Sequence, residues 1–513
     1  MHSSVTSAPA TDRPPALWLP SPYFLLGGLF WAVMSAAAWR VPMCCDFGQH
    51  AAVVERLSAD LLHPSHPMAD LPGDGSPYYS PYAVFQGLVA RATGLAGRSV
   101  VLLSGPVNLV VLLTGIGRFT RLLSPSRWAP VLALAAMVLL WGTERMWWSG
   151  SLGLMSMTGN LPYPSTFAIG LAFHVWAWTG HAARLSSPGG GIATGWVDHA
   201  GIGVLLGLVL LIHPISSVGA VVGVVALVVG WQRDWTRRVV ARWALTGAVA
   251  VVVAGTWPYF DAFALVGDSA VDRIHRVLYE DLVPHYWLVL PALPALWLRW
   301  RADRRDPLVL MFVLDAAAVT YGWFSGHYTY GRLLGLTLVP AQFALAVELA
   351  APRPWPVPRR VLAPLAAVAA GLGFVTAQGG AVVPRALDPL GMDRPMRWET
   401  YDWAAAHIPA GDVVLTDSYR ATRSLAGYGP YLVAPPWPDA ALAESERQRR
   451  VRAVRAYLDP SATEARRERI AARYGVRWLL LTRDERLPRN AVVVAYSTRT
   501  GEVLARLPGV PPG

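Results

Sequence analysis

Apolar windows of roughly 17 to 25 residues, the length of a membrane-spanning helix, recur along this 513-residue chain. Eleven stretches are candidates, several of them short or carrying Pro: about 18–39, 99–117, 128–142, 163–182, 200–213, 215–231, 239–257, 283–299, 307–324, 332–350 and 360–378. The sequence therefore predicts a polytopic α-helical membrane protein of about eleven transmembrane (TM) helices. Composition agrees, with 54% hydrophobic and 15% charged residues, where a soluble domain carries roughly one-quarter charge. Phe24 to Ala38, ending in "SAAA", has the outline of a signal peptide. Its basic flank is thin and many apolar segments follow, so it reads as a retained first span.

A net charge of +11 would suggest nucleic acid in a soluble protein. In a polytopic one, basic residues gather in cytoplasmic loops, and no nucleic-acid partner is expected. With a cytoplasmic N-terminal tail (1–17), alternate loops hold Arg118, Arg121 and Arg127; Arg184; Arg233, Arg237 and Arg238; Arg299, Arg301, Arg304 and Arg305; and Arg353, Arg359 and Arg360. All five fall on one side, as the positive-inside rule requires. The expected organisation is a membrane domain over 18–380 with a large first outer loop at 40–98. The only cysteines, Cys44 and Cys45, are adjacent, a spacing awkward for an unstrained disulfide. They give no metal-ligand pattern. Every basic side chain in the Lys+Arg total is Arg, a coding bias that favours a bacterial source.

From about 385 the pattern becomes soluble. "DVVLTD" and "VRWLLLT" read as short buried strands, "AESERQRRVRAVRAYLD" and "SATEARRERIAARYG" as amphipathic helices, and "AVVVAYSTRTGEVLARL" as a hairpin around Thr500 and Gly501. Residues 385–513 are expected to form a small extracytoplasmic α/β domain. "SSPGGG" at 186–191 marks a loop.

Asp46 follows the first span in "RVPMCCDFGQHAAVVERL". A carboxylate at a bilayer edge is costly unless paired or facing water, which makes it a functional candidate. Its alternative role is to cap the helix that begins beside it. The loop continues "LLHPSHPMADLPGDGSPYYSPYAVFQGLVARATGL", with Tyr78 and Tyr79 in its aromatic-proline stretch. A first span, an acid, a short helix, an aromatic-proline stretch and a second helix resemble the first outer loop of the GT-C superfamily of membrane glycosyltransferases. Those enzymes use sugars carried on a polyprenyl phosphate.

The resemblance implies an inverting, plasma-membrane glycosyltransferase with Asp46 as general base toward an acceptor hydroxyl. His50, one helical turn on, would orient the carboxylate or help hold a divalent cation. Whether Mg or Mn takes part stays open. In "GHYTYGRLLGLTLVP", Arg332 defies the positive-inside trend and would clamp the lipid phosphate, with His327 and Tyr330 beside it. Glu144, Arg145 and His285, with Tyr78 and Tyr79, are expected in a sugar and acceptor cavity. His213 and Pro214 fall at an outer turn between spans, and His213 is either a turn residue or a cavity residue. The expected partners are a polyprenyl-phosphate sugar of mannose or arabinofuranose class, a cell-envelope acceptor and the bilayer. A transporter or flippase, or a non-catalytic assembly protein with the same fold, are the alternatives.

Overall fold

The computed structural model describes residues 21–41, 44–72, 75–185, 195–265, 267, 269–352 and 357–508. The N-terminal tail 1–17, the loop at 186–191 and Arg353 lie outside them. Seven described helices are long and apolar enough to cross a membrane: Pro22–Trp39, Gly97–Leu123, Pro214–Trp231, Arg237–Gly255, Pro307–Ser325, Tyr328–Leu349 and Val357–Ala381. Shorter apolar helices at Ala129–Leu139 and Trp196–Ile212, and the 22-residue helix Pro164–Leu185, fill three further predicted windows. The chain is a polytopic helical membrane protein.

One window breaks. The stretch predicted as a single span at 283–299 is a short helix Leu282–Tyr286, a 3-10 turn Trp287–Ala292 and a second helix Leu293–Ala302. Pro284, Pro291 and Pro294 account for it, because each lacks an N–H and its ring crowds the preceding turn.

The loop at 40–98 has the predicted order of helices. Helix Phe47–Ala59 starts directly after Asp46. Helix Pro81–Thr93 starts where Ser80 accepts a hydrogen bond from the Ala83 N–H and ends at Gly94, whose φ of 71° is left-handed. Ser at the N-cap, Pro at the first position and Gly past the end are the sequence signals of such a helix.

The tail forms a five-stranded sheet of β1 (Val413–Leu415), β2 (Tyr431–Leu432), β3 (Val476–Thr482), β4 (Val492–Tyr496) and β5 (Glu502–Arg506). The spatial order is β2-β1-β3-β5-β4. β1 runs parallel to β2 and β3, and β5 antiparallel to β3 and β4. Strand alternation sends Val413, Leu415, Leu479 and Leu481 to a face covered by Val454 and Tyr457 of helix Glu444–Leu458 and Ala471 of helix Glu464–Arg473. Val414, Trp478 and Leu480 go to the other face, which packs with Ala52 and Met68 of the 40–98 loop. Burial on both faces explains why these strands read as unbroken apolar runs.

The tail is therefore built onto the loop. The Leu432 N–H donates to Met68 O at 2.8 Å, and Arg56 donates to the carbonyls of Gly429 and Pro430 at 2.7 and 2.9 Å while stacking 3.7 Å over Tyr431. Arg98 pairs with Asp402. The closest approach is at Gly48, where a Cβ would meet Arg423 O at 2.1 Å and Ser424 Cα at 2.7 Å. Gly48→Ala should destabilise this seam by roughly 1–3 kcal/mol, seen as faster proteolysis between 385 and 430 in detergent. Unchanged proteolysis would contradict the packing.

Candidate active site

Asp46 directly precedes helix Phe47–Ala59, and its carboxylate makes no capping hydrogen bond. The capping role is not taken up. The side chain is 39% exposed and lines a cavity of about 640 Å³. His50 Nε2 stands 3.9 Å from Asp46 Oδ2. The rings of Tyr163 and Tyr78 flank the imidazole at 5.2 and 5.8 Å. Burial lowers the His50 pKa, the Asp46 carboxylate opposes this and the Arg332 guanidinium adds to it, for a net fall. The imidazole is therefore neutral at neutral pH and is a dipolar partner for the carboxylate rather than a cation.

Arg332 lines the same cavity. Its Nη2 donates to Ser149 Oγ at 3.1 Å and to His213 Nε2 at 3.0 Å. Guanidinium has no acceptor, so His213 Nε2 is the acceptor of that contact, while His213 Nδ1 faces Ser216 Oγ at 2.8 Å and the Ser216 N–H at 3.3 Å. His213 is thus a cavity residue. Among the described residues, Arg332 Nε is buried without a hydrogen-bond partner. A buried charged donor without an acceptor is costly, and an incoming anion relieves it.

A third wall holds Asp272, His327 and Thr329. Asp272 accepts from His327 Nδ1 at 3.0 Å and from the Thr329 N–H and Oγ1 at 3.0 and 2.6 Å. Burial alone would raise the Asp272 pKa, but these hydrogen bonds bring it below the usual value. Apolar Leu210, Ile212, Ile215 and Val218, at the ends of two membrane helices, complete one side, and Pro438, Asp439 and Ala440 of the tail complete another. The cavity joins polar anchors to an apolar flank where spans end.

No family model matches the sequence, and no curated protein matches it. Solved structures do. ArnT from Cupriavidus metallidurans, in the apo state and bound to undecaprenyl phosphate, is 15% identical with a TM-score of 0.52 in both states. The apo match covers 94% of this chain and 97% of that one. The arabinofuranosyltransferase AftD from Mycobacteria is 15% identical with a TM-score of 0.55, over 91% of this chain and 35% of AftD. The chain has the GT-C fold.

On this GT-C scaffold, Asp46, His50, Tyr78, His327, Tyr330 and Arg332 of the predicted site line one cavity. Four predicted residues do not. Tyr79 is 1% exposed, and its hydroxyl donates to Ser65 O, because adjacent residues of the aromatic stretch point opposite ways. Glu144 stands 3.8 Å from His285 Nε2, Arg145 donates to Arg394 O, and the Thr143 and Glu144 N–H groups donate to Pro284 O at 2.8 and 3.2 Å. These three residues fasten the broken helix and the tail rather than line the cavity. Asp272, Ser149 and Asp439 line it without having been singled out in the sequence. Asp272 sits in a run of mixed charge with no periodicity to mark it. As for a divalent cation, Asp46 and His50 supply two donors, and among the described residues no third His, Cys, Asp or Glu gathers with them.

Asp439 is fastened to the first loop by Ser76 Oγ at 3.3 Å and faces His66 Nε2 at 3.6 Å. His66 Nδ1 accepts from the Met68 and Ala69 N–H groups at 3.2 and 3.1 Å, which requires an unprotonated Nδ1. Burial, with Arg450 and Arg56, pulls this imidazole down from 6.5 to about 4. A depressed folded pKa gives stability that is present above 6.5 and lost as pH falls toward about 4, on the order of 3 kcal/mol. In His66→Asn the amide oxygen can accept the same bonds without titrating. Its unfolding midpoint should fall less steeply over that window than the wild type's. Parallel curves would contradict the assignment.

Proposed function

We propose that this protein is an inverting glycosyltransferase that moves a sugar from a polyprenyl-phosphate donor to an acceptor hydroxyl in the cell envelope. The observation that carries the reading is one cavity shared by an uncapped, water-accessible carboxylate, Asp46, and a guanidinium with an unsatisfied buried N–H, Arg332. ArnT, a protein of the same fold, is a solved complex with undecaprenyl phosphate.

In this reading Asp46 takes the proton from the acceptor hydroxyl as that oxygen attacks the anomeric carbon. The bond from that carbon to the phosphate oxygen breaks, and the electron pair leaves with the polyprenyl phosphate. Arg332, held by Ser149 and His213, stabilises the charge on the leaving phosphate. The phosphate leaves as an anion, so a single carboxylate suffices, unlike the paired acids of glycoside hydrolysis. His50 orients the carboxylate. His327 and Tyr330 stand at the donor phosphate and Tyr78 beside the sugar. Closing the cavity to water limits loss of donor to hydrolysis. Mannose and arabinofuranose lipids are the donor classes to try first. The membrane setting is a bacterial plasma membrane, with the N-terminus cytoplasmic and the tail extracytoplasmic next to the acceptor.

A second reading, transport of a solute, is favoured by one observation. Asp315 is fully buried midway along span Pro307–Ser325, and among the described residues neither carboxylate oxygen has a hydrogen-bond partner; intramembrane acids mark ion paths in transporters. Asp315→Asn separates the two, since a transferase should keep its rate and a proton-coupled transporter should lose flux.

Purified protein in detergent should consume a polyprenyl-phosphate sugar when a hydroxyl acceptor is present. Asp46→Asn should lower kcat about 10²–10⁴-fold while keeping the wild-type unfolding midpoint. Arg332→Gln should cost roughly 1.5–3 kcal/mol of donor interaction, read in kcat/KM. Full activity in a folded Asp46→Asn protein would overturn the proposal.

A further inference from the structure

The mechanism leaves one reactive feature beside the site unused. Cys44 and Cys45 immediately precede Asp46, and both are free thiols whose sulfurs stand 2.8 Å apart. Cys45 has a φ of 61°, the left-handed region that non-glycine residues avoid. The pair is held at two points, one of them on the cavity wall. Trp147 Nε1 donates to Cys44 Sγ at 3.4 Å, and the Tyr163 hydroxyl donates to the Cys44 carbonyl at 2.9 Å. Tyr163 itself lines the cavity and packs against His50.

We infer that Cys44 and Cys45 form a reversible vicinal disulfide, a modification site whose state resets the turn carrying Asp46. Adjacent Cα atoms stand about 3.8 Å apart across a trans peptide, short of the roughly 4.4–6.8 Å of ordinary disulfides. Such a bond is strained, and strained disulfides are the labile ones rather than the structural ones. The sulfurs are already in contact, so closing the ring requires local rotation and no rearrangement of the fold. The eight-membered ring then fixes the Cys44–Cys45 peptide, changes the direction of the Cys44 carbonyl that Tyr163 holds, and moves the next residue, Asp46.

The co-reactant is a disulfide of a small thiol or a thiol-exchange protein, available on the extracytoplasmic side that the proposed topology gives this loop. Cys45, the more exposed of the two, loses its proton and attacks one sulfur of the incoming disulfide, releasing the first thiol. Cys44 then loses its proton and attacks the Cys45 sulfur, releasing the second. The two cysteine protons end on the two released thiols. The pair loses two electrons, and the incoming disulfide is reduced by the same two.

The inference rests on the glycosyltransferase reading for its effect on activity but not for the chemistry at sulfur, and the test separates the two. Intact protein in detergent is treated with oxidised glutathione and then alkylated, and the mass is read. The expected result is loss of both alkylation sites with no retained glutathione and a mass lower by two hydrogens. Dithiothreitol should restore both sites. Sugar transfer should fall about tenfold on oxidation and recover on reduction, while Cys45→Ser keeps its basal rate and ignores the oxidant. Two alkylatable thiols after oxidation, stable separate adducts, or an unchanged transfer rate in the oxidised protein would overturn the inference. If the thiols pair but neither state transfers sugar, the disulfide stands and the transfer reading falls.

Discussion

The site depends on how closely the helix after the first span can approach the C-terminal tail. Asp46 opens that helix, Gly48 is its second residue, and the backbone of Arg423 and Ser424 occupies the space where any larger side chain would sit. Arg56, two turns further along, caps the carbonyls of Gly429 and Pro430. The helix is thereby fixed at both ends against the C-terminal tail. In the proposed reaction the carboxylate must meet a reacting atom within a few tenths of an ångström, which needs such support. The tail is thus part of the site as well as an appended domain, and Pro438 to Ala440 reach the cavity directly.

The cavity's electrostatics follow from that frame. Imidazoles of His50 and His213 flank Arg332 and are kept neutral by burial, with the guanidinium adding to it. Formal positive charge is therefore concentrated on one side chain rather than spread over three. Its unsatisfied Nε gives an anion a defined place to bind. The apolar flank of Leu210, Ile212, Ile215 and Val218 then suits a ligand with one charged end and one greasy end. Together these features favour a lipid phosphate over a free sugar phosphate.

Much of this was legible in the sequence, and the failures are instructive. Asp46 and Arg332 stood out because each breaks a membrane rule in the topology that the charge pattern predicts, an acid at a bilayer edge and a cation away from the basic loops. The tail strands were legible because runs such as "VRWLLLT" are buried on both faces; β2, two residues long, carries no pattern. The window at 283–299 misled because average hydropathy ignores where three prolines fall. Glu144 and Arg145 looked like free cavity charges, yet their partners, His285 and the Arg394 carbonyl, come from distant sequence. Asp272 was invisible for the same reason, since what marks it is His327 and Thr329 across the cavity.

The account's central claim is that one lipid phosphate bridges the two ends of this cavity. A structure of the protein with a non-transferable polyprenyl-phosphonate sugar tests it most directly. The account predicts the phosphonate within hydrogen-bond reach of Arg332, about 3 Å, with the lipid along the Leu210–Val218 flank and the sugar toward Asp46. A headgroup bound elsewhere, leaving Arg332 on Ser149 and His213 alone, would contradict it.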